Sequence, residues 1–286
     1  MSSLVIRAAS MCEFATAVEW AAREGWNPGC DDLQAFHQTD PDGCLMGWID
    51  DVPVSSISVI RYGRSFGFLG FYIVHPDHRG TGAGIATWNA GMARLEGRTV
   101  GLDGVPDQLQ NYARSGFDYA GRNIRFTGLA NAAVSAYDGL DVRDCRVSDM
   151  ADVMAYDKPF FAAPRDQFIR PWIDPEMCPT RRTKLALKDH QVAGYGTVRE
   201  CRSGYKIGPL FCDDAHIANA LFSSLCAELP EGAQVSLDVP EDNSQAVNLA
   251  RINTLAPAFE TARMYRGGAP DLPVDRTFGI TTFELG

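Results

Sequence analysis

FYIVHPDHRGTGAGIATW, residues Phe71 to Trp88, is the stretch of this sequence that decides the fold. Its first four residues are apolar or aromatic, as in a buried strand, and Pro76 ends that run at a turn. Residues 84–96 then show helical spacing of apolar side chains on one face. That face is formed by Ile85, Trp88, Met92 and Leu95. The stretch therefore predicts a strand, a glycine-rich loop and a helix in direct succession.

The loop has the composition of an anion pocket. Glycine lets the backbone turn its N–H groups toward one point, and the amino end of the following helix adds a positive dipole. The loop glycines are Gly80, Gly82 and Gly84. Arg79, with His78 beside it, supplies the positive charge that a phosphate group needs.

Two common phosphate motifs do not match this loop. A nucleoside-triphosphate loop ends in Gly-Lys-Ser/Thr, whereas Gly84-Ile85-Ala86 stands here. A dinucleotide fingerprint needs G-x-G-x-x-G, and counting from Gly80 places Ile85 at the last position. The residues argue against both a P-loop protein and a nicotinamide enzyme.

Strand-like runs flank the loop on both sides. Three runs bounded by Asp, Gly and Pro come before it or lead into it: DGCLMGWID (42–50), VPVSSISVI (52–60) and FGFLGFYIV (66–74). A further strand, Thr99 to Leu102, follows the helix. This order predicts an α/β (α+β) fold, with a mixed, mostly antiparallel sheet and helices on both faces.

Weak internal repeats predict two copies of this unit. Three pairs of segments recur in the same order at offsets of 133 to 136 residues. The pairs are Ile6-Arg7 with Val142-Arg143, Tyr72–Pro76 with Tyr205–Pro209, and Val100–Pro106 with Val235–Pro240. We expect the boundary between the copies near residues 128–139.

Composition limits the classes of function. The chain has 286 residues, with 26 Lys and Arg against 36 Asp and Glu and a formal net charge of −10. Such an acidic chain is a poor partner for nucleic acid, and no apolar run is long enough to cross a membrane. Its eight cysteines form no C-x-x-C pair, which argues against a structural metal site. With no secretory signal at its start, we expect a cytoplasmic protein with reduced thiols.

Two motifs carry a resemblance to the Gcn5-related N-acetyltransferases (GNAT). Arg79-x-x-Gly82-x-Gly84 resembles the pyrophosphate signature of that family. NYARSGFDYAGRNIRFTG, residues 111–128, resembles the family's later helix, its Tyr-x-x-x-Gly-Phe turn and its final strand. The resemblance implies two tandem GNAT-like domains, of which residues 1–130 are expected to be the catalytic domain with the acetyl-CoA site.

The second copy departs from the family at the loop. Asp213 and Asp214 stand where the arginine and glycines belong, and two carboxylates repel a pyrophosphate. Residues 140–286 are therefore expected to be a degenerate GNAT-like domain that lacks the pyrophosphate loop. Their sequence, from YKIGPLF through RMYRGG to FGITTFELG, is similar to the second half of tandem GNAT proteins of the YitH-like kind.

The resemblance implies transfer of an acetyl group from acetyl-CoA, the co-substrate, to a small amine or a protein amino group. The coenzyme arm is expected along the strand that ends at Val74, with the pyrophosphate over residues 79–85. No metal is implied. The implied coenzyme-binding residues are Ile73, Val74, Arg79, Gly80, Thr81, Gly82, Gly84, Ile85, Asn111 and Tyr112.

The resemblance also assigns one of the two proton transfers. Tyr112 matches the family tyrosine that protonates the departing thiolate as a general acid. The strand from Phe68 to Val74 holds no carboxylate that would take the proton from the amine. The candidates for this general base are His75, Asp103, and Asp31 or Asp32 acting through water.

The acceptor is expected between the first two helices. Trp26, with Asp31 and Asp32 nearby, is suited to hold a cationic amine by cation–π and charge attraction. We hypothesise that an early helical region of the second copy closes this cleft, with packing in that copy's own core as the alternative. A fragment ending near residue 130 would then bind coenzyme without turning over an amine. The residues concerned are Phe160, Phe161, Arg165 and Trp172.

A second class of function fits the same motifs. A non-catalytic acyl-CoA-binding sensor would keep the Arg79 loop, and the missing strand carboxylate favours it, whereas Tyr112 favours catalysis. Release of free thiol from acetyl-CoA in the presence of amines distinguishes the two. The sequence sets no oligomeric state.

Overall fold

The computed structural model describes residues 3–130, the first half, and residues 139–286, the second half. The expected boundary at residues 128–139 falls largely on residues 131–138, which lie outside the described residues.

The first half contains the predicted elements in the predicted order. Its strands are β1 (Val5–Ala8), β2 (Cys44–Ile49), β3 (Val52–Tyr62), β4 (Phe66–Val74), β5 (Thr99–Gly104) and β6 (Asp118–Leu129). Its helices are α1 (Met11–Arg23), α2 (Asp32–Thr39), α3 (Ala83–Arg94) and α4 (Leu109–Arg114).

The second half repeats this order. Its strands are β7 (Asp141–Asp144), β8 (Arg181–Lys188), β9 (Gln191–Glu200), β10 (Tyr205–Cys212), β11 (Gln234–Pro240), β12 (Ala256–Arg266) and β13 (Thr277–Gly279). Its helices are α5 (Met150–Asp157), α6 (Asp166–Ile173), α7 (Ala215–Cys226) and α8 (Ser244–Ile252).

Two details of the sequence interpretation are wrong. Pro76 follows β4, whereas Pro209 lies inside β10, so the middle pair of repeated segments is not equivalent in the fold. Ile85 is 60% exposed, so it does not belong to the packed face of α3. The buried face of α3 consists of Ala83, Thr87, Trp88 and Gly91. The small residues among them let the helix approach the sheet closely.

All thirteen strands of the described residues join one sheet, in the order β1-β2-β3-β4-β5-β12-β6-β11-β10-β9-β8-β7, with β13 paired to β10 outside this path. Within the described ranges the parallel pairs are β4 with β5 and β10 with β11. The predicted mixed, mostly antiparallel sheet is confirmed. The two copies, however, share it as a single continuous sheet.

The halves are joined by an exchange of long strands at the centre of this sheet. β12 of the second half pairs with β5 of the first half, from Ala262 opposite Gly104 to Arg266 opposite Val100. β6 of the first half pairs with β11 of the second half, from Asn123 opposite Pro240 to Leu129 opposite Gln234. Each half therefore completes the sheet of the other, and β12 and β6 lie side by side.

The same exchange shows in the cores. Ile124 and Phe126 of β6 pack in a cluster whose other buried residues come from the second half. Ala262 and Met264 of β12 pack in a cluster otherwise formed by the first half. A third cluster contains residues from both halves, including Phe36, whose ring stacks on Trp172 at a centroid distance of 6.0 Å.

A buried ion pair ties the exchanged strands together. Arg125 on β6 donates from Nε and Nη2 to Asp238 on β11 at 2.7 and 2.8 Å, and both residues are 5% exposed. Burial opposes ionisation of Asp238, yet the charge and hydrogen bonds of Arg125 hold the pKa of this carboxyl below its usual range.

Replacing Asp238 by Asn is expected to lower the free energy of unfolding by about 3–5 kcal/mol, because Arg125 then stays buried without its counter-charge. The measurement is urea unfolding of the full chain. Glu241→Gln is the matched control, since Glu241 also pairs with an arginine of β6, Arg122, at the protein surface. That variant should lose less than about 1 kcal/mol. Equal losses in the two variants would contradict a role for burial.

Candidate active site

A cavity lies where β4 and β5 part. The two strands pair only from Phe66 opposite Thr99 to Leu69 opposite Leu102. Beyond this point one edge of β4 is left without a β5 partner and lines a cavity of about 450 Å³. Phe71, at the start of the unpaired part, has φ = 47°, and the pairing of β3 with β4 shifts register there. The cavity therefore begins at a bulge in β4.

In the second half the corresponding gap is filled. β10 and β11 pair only from Tyr205 to Ile207, and β13 then lies against Leu210 and Phe211 of β10. The backbone N–H of Ile280 donates to the carbonyl of Asp238 on β11 at 2.9 Å. The chain itself thus occupies the place that the cavity has in the first half.

The glycine-rich loop brings the amino end of α3 to one end of the cavity. Gly80 and Gly82 have φ of 76° and 94°, the left-handed region that favours glycine. Gly82 is the cap residue of α3 and offers no side-chain acceptor to the first turn. A Cβ on Gly84 would lie 2.9 Å from Val74 Cγ2, so glycine is needed where α3 meets β4. The first-turn N–H groups of α3 are left available to an anion.

Arg79 and its neighbours lie beside this helix end. Arg79 Nε donates to the carbonyl of Val74 at 3.0 Å, and Nη2 donates to Glu24 at 2.6 Å. Its side chain is 53% exposed, so this surface ion pair is weak and open to exchange with a phosphate. Thr81 donates through its hydroxyl to the carbonyl of His78 at 2.7 Å, which closes the turn.

The Tyr112 side chain forms part of the cavity wall. Its ring stacks on Trp88 of α3 at 5.7 Å. A Cβ on Gly104 would lie 2.3 Å from the ring, so glycine at that position admits the tyrosine. Burial raises the pKa of Tyr112 to about 12, and its hydroxyl has no hydrogen-bond partner among the residues described.

The other expected coenzyme residues divide into two groups. Ile73 and Val74 lie on the cavity wall, whereas Ile85 is an exposed residue in the first turn of α3. Asn111 lies in α4 and donates through its side-chain amide to Gln108 at 2.7 Å, outside the cavity lining.

Of the three residues expected to hold the acceptor, Trp26 lines the cavity. Asp32 is 1% exposed and accepts from Arg181 Nη2 at 3.0 Å and Arg199 Nε at 3.4 Å, both from the second half. Asp31 accepts from the hydroxyl of Thr180 at 2.5 Å. The two aspartates thus bind the second half, and neither is among the residues around the cavity.

The expected general bases are also occupied elsewhere or lie outside. His75 Nδ1 lies 3.6 Å from Asp77, and its ring packs near Trp20 rather than on the cavity wall. Asp103 does line the cavity, but it accepts from Arg263 Nη2 at 2.7 Å and from Asn123 at 2.7 Å.

The second half does reach this cavity, but through residues that the sequence did not single out. They are Phe259, Thr261, Phe283 and Glu284. The four residues that the sequence suggested lie elsewhere: Trp172 is fully buried in the shared core, and Phe160, Phe161 and Arg165 border a separate, smaller cavity. The sequence does carry one signal that could have pointed to Glu284. It is the single acidic residue in the otherwise uncharged segment FGITTFELG (278–286).

The loop of the second half has a different structure from the first. Only Asp213 and Asp214 separate β10 from α7. Asp214 caps the helix by accepting from the N–H of Ile217 at 2.9 Å, and Asp213 pairs with Arg276. The amino end of α7 is therefore capped by the chain's own carboxylate, that of Asp214.

Three further observations concern the described residues only. They contain no cluster of potential ligands that could hold a metal ion. None of their helices is both long and apolar enough to cross a membrane. The eight cysteines are free thiols, and all but Cys12 and Cys30 are buried.

A parallel strand pair that opens beside an uncapped helix end, with a glycine-rich loop between them, matches the GNAT resemblance of the sequence. Comparison with family models establishes the class, and the chain belongs to the GNAT acetyltransferase family. The model described as "Acetyltransferase (GNAT) family" matches residues 11–117. The model described as "Acetyltransferase (GNAT) domain" matches residues 153–279.

Three proteins are similar to this chain over nearly its whole length. Holothin acyltransferase from Pseudoalteromonas sp. (strain SANK 73390) is 31% identical over 97% of this chain and 93% of its own length. A putative acetyltransferase from Pyrococcus horikoshii has a similar fold, with a TM-score of 0.81 and 21% identity over 100% of this chain and 97% of that one. A tandem GNAT protein from the clavulanic acid biosynthesis pathway has a TM-score of 0.65 and 16% identity, over 94% and 100% of the two chains. The tandem GNAT fold is confirmed, and the YitH-like subtype stays a prediction.

Proposed function

We propose that the protein transfers an acetyl group from acetyl-CoA to the amino group of a small molecule. The observation that carries this proposal is one cavity lined by residues of both halves. Its lining includes Arg79, which lies beside the uncapped amino end of α3, the side chain of Tyr112, and the aromatic side chains of Trp26 and Phe283. The helix end suits a pyrophosphate, and the aromatic part of the lining suits an acceptor with an apolar body.

In the proposed reaction the coenzyme arm lies along the unpaired edge of β4, with its pyrophosphate at α3. The amine attacks the thioester carbonyl, and backbone N–H groups of β4 near Val74 stabilise the oxyanion. The C–S bond then breaks, and Tyr112 donates its proton to the departing thiolate. A phenol whose pKa is about 12 keeps this proton at neutral pH until a base appears beside it.

The whole cavity has a volume of about 450 Å³ and a mainly apolar lining, which favours a small-molecule acceptor over an amino group on a protein surface. The name of the relative makes holothin the first acceptor to test. Buried thiols without a disulfide among the described residues support action in the reducing cytoplasm.

The test of this proposal is release of free thiol from acetyl-CoA by the full chain, with and without holothin, followed by mass spectrometry of the acceptor. Amine-dependent thiol release with an added acetyl group is the expected result. Coenzyme binding without any thiol release would instead favour the acyl-CoA sensor and overturn the catalytic proposal.

Replacing Gly82 by Val is expected to weaken acetyl-CoA binding at least about tenfold, because a side chain there projects into the open space before the uncapped helix end. Calorimetry of the full chain measures this. Gly97→Val is the control, since Gly97 also has positive φ and open surroundings but lies in the turn between α3 and β5. Both variants carry a similar backbone strain of about 1–2 kcal/mol. Unchanged affinity in the Gly82 variant would remove the pyrophosphate from this loop.

A further inference from the structure

The segment that follows β13 crosses from the second half into the active-site cavity of the first. A Cβ on Gly70 of β4 would lie 2.1 Å from the carbonyl oxygen of Glu284 and 3.0 Å from its Cα. The hydroxyl of Tyr62, on β3, donates to the carbonyl of Leu285 at 3.0 Å. Glycine at position 70 thus admits this segment at the point where β4 leaves β5, and the segment is fixed there by hydrogen bonding and burial.

Glu284 is the buried carboxylate on the cavity wall that has no direct partner among the described residues. It is 3% exposed and lines the cavity, and among the described residues no hydrogen bond or ion pair reaches its carboxylate. The other wall carboxylates differ: Asp103 is held by Arg263, Glu24 by Arg79, and Asp107 is exposed at the surface. A buried carboxylate that faces a cavity without a partner is available to a proton.

Charged groups surround Glu284 from several elements without binding it. Lys206 of β10 donates to the carbonyl of Trp26 at 2.9 Å, Arg125 of β6 binds Asp238, and Arg199 of β9 binds Asp32. Burial raises the pKa of Glu284 above its usual range. The cations Lys206, Arg125 and Arg199 oppose this rise, and Asp32 adds to it.

We propose that Glu284 is the general base of the acyl transfer, supplied to the active site of the first half by the second half. This inference rests on the proposed function and adds the base that β4, which carries no carboxylate, does not provide. It also gives the second half a catalytic contribution in place of a coenzyme site of its own.

The Glu284 carboxylate takes one proton from the ammonium group of the acceptor, and the free amine forms the C–N bond to the thioester carbon. The attacking nitrogen then carries two protons and a positive charge. When the tetrahedral intermediate collapses, the C–S bond breaks and the thiolate takes the proton of Tyr112. The phenolate regains a proton from the positively charged nitrogen, which leaves the neutral amide, and Glu284 releases its proton to water. The products are the amide, coenzyme A and one proton.

The experiment compares the full chain with its Glu284→Gln variant in acetyl-CoA turnover, both with holothin and with water as the acceptor. We expect kcat to fall about 10²–10⁴-fold while acetyl-CoA affinity stays within a few fold. In the parent protein kcat should fall as the pH drops through the raised pKa of Glu284, because the protonated acid accepts no proton. The Gln variant should lack this acid limb.

Two further variants separate catalysis from structure. Glu284→Asp keeps the charge but withdraws it, so it should lose part of the rate and keep the acid limb of the pH profile. Glu260→Gln removes a carboxylate of the same half that pairs with Arg122 outside the cavity, and its rate should equal the parent's. Thermal unfolding of each variant checks the fold.

The outcomes are distinct. A parent protein that turns over, with a folded Glu284→Gln variant at the same rate or with the same acid limb, overturns Glu284 as the base and leaves the proposed function standing. A parent protein that binds acetyl-CoA but releases no thiol with either acceptor overturns the proposed function and this inference together.

Discussion

Tyr112→Phe is expected to lower kcat about 10²–10⁴-fold and to change acetyl-CoA affinity only slightly. The loss follows from removing a general acid that is already in place. The tyrosine ring is fixed by Trp88 and by the space above Gly104, and phenylalanine fills the same space. The hydroxyl has no partner among the described residues, so its removal leaves no buried group unsatisfied and should cost little stability.

The measurement is steady-state turnover of acetyl-CoA with the same acceptor for both proteins. Tyr119→Phe is a suitable control, since Tyr119 is 60% exposed and lies outside the cavity. The pKa of about 12 adds a second expectation, because the phenol stays protonated through the neutral range. Tyr112 should therefore cause no loss of rate between about pH 7 and 10. Parental turnover by the variant would show that water or another group protonates the thiolate.

The conformation of the glycine-rich loop could be predicted from the sequence because its determinants are local. Positive φ at Gly82, the turn at Pro76 and the start of α3 lie within a few residues of each other. A short motif therefore carries both the conformation and the charge of Arg79. The same holds for Tyr112, whose place follows from the helix and turn that surround it.

The contacts of Asp31 and Asp32 could not be predicted because their partners are far away in sequence. Asp32 contacts Arg181 and Arg199 at separations of 149 and 167 residues. An acidic residue near Trp26 has the same local pattern whether it binds an amine or an arginine of the other half. Only the packed structure distinguishes these two roles.

The strand exchange is hidden from sequence for a related reason. β6 and β12 are both long strands that follow a helix near the end of their copy. Each could complete the sheet of either half, since β5 and β11 offer similar edges. The choice is made by packing, in which Met264 of β12 enters the first-half cluster and Phe126 of β6 enters the second. The repeat predicted two copies correctly and left their connection open.

The exchange changes the expectation for a fragment of residues 1–130. Such a fragment loses β12, the neighbour of both β5 and β6, and loses β11 as well. It also exposes the face of Phe36 that stacks on Trp172, and it lacks Arg181, the partner of the Asp32 carboxylate. The separate coenzyme binding suggested by the sequence is therefore no longer expected, because β5 forms one wall of the cavity.

We expect the 1–130 fragment, expressed alone, to show no cooperative thermal transition and no acetyl-CoA binding in calorimetry. Exposed edges of β5 and β6 should also make it associate. Coexpression with residues 139–286 provides the control, since the missing strands are then present and binding should return. A monomeric 1–130 fragment with the affinity of the full chain would show that β6 can close onto β5 within one copy. In that case the central exchange would be an alternative pairing that the first half does not need for its coenzyme site.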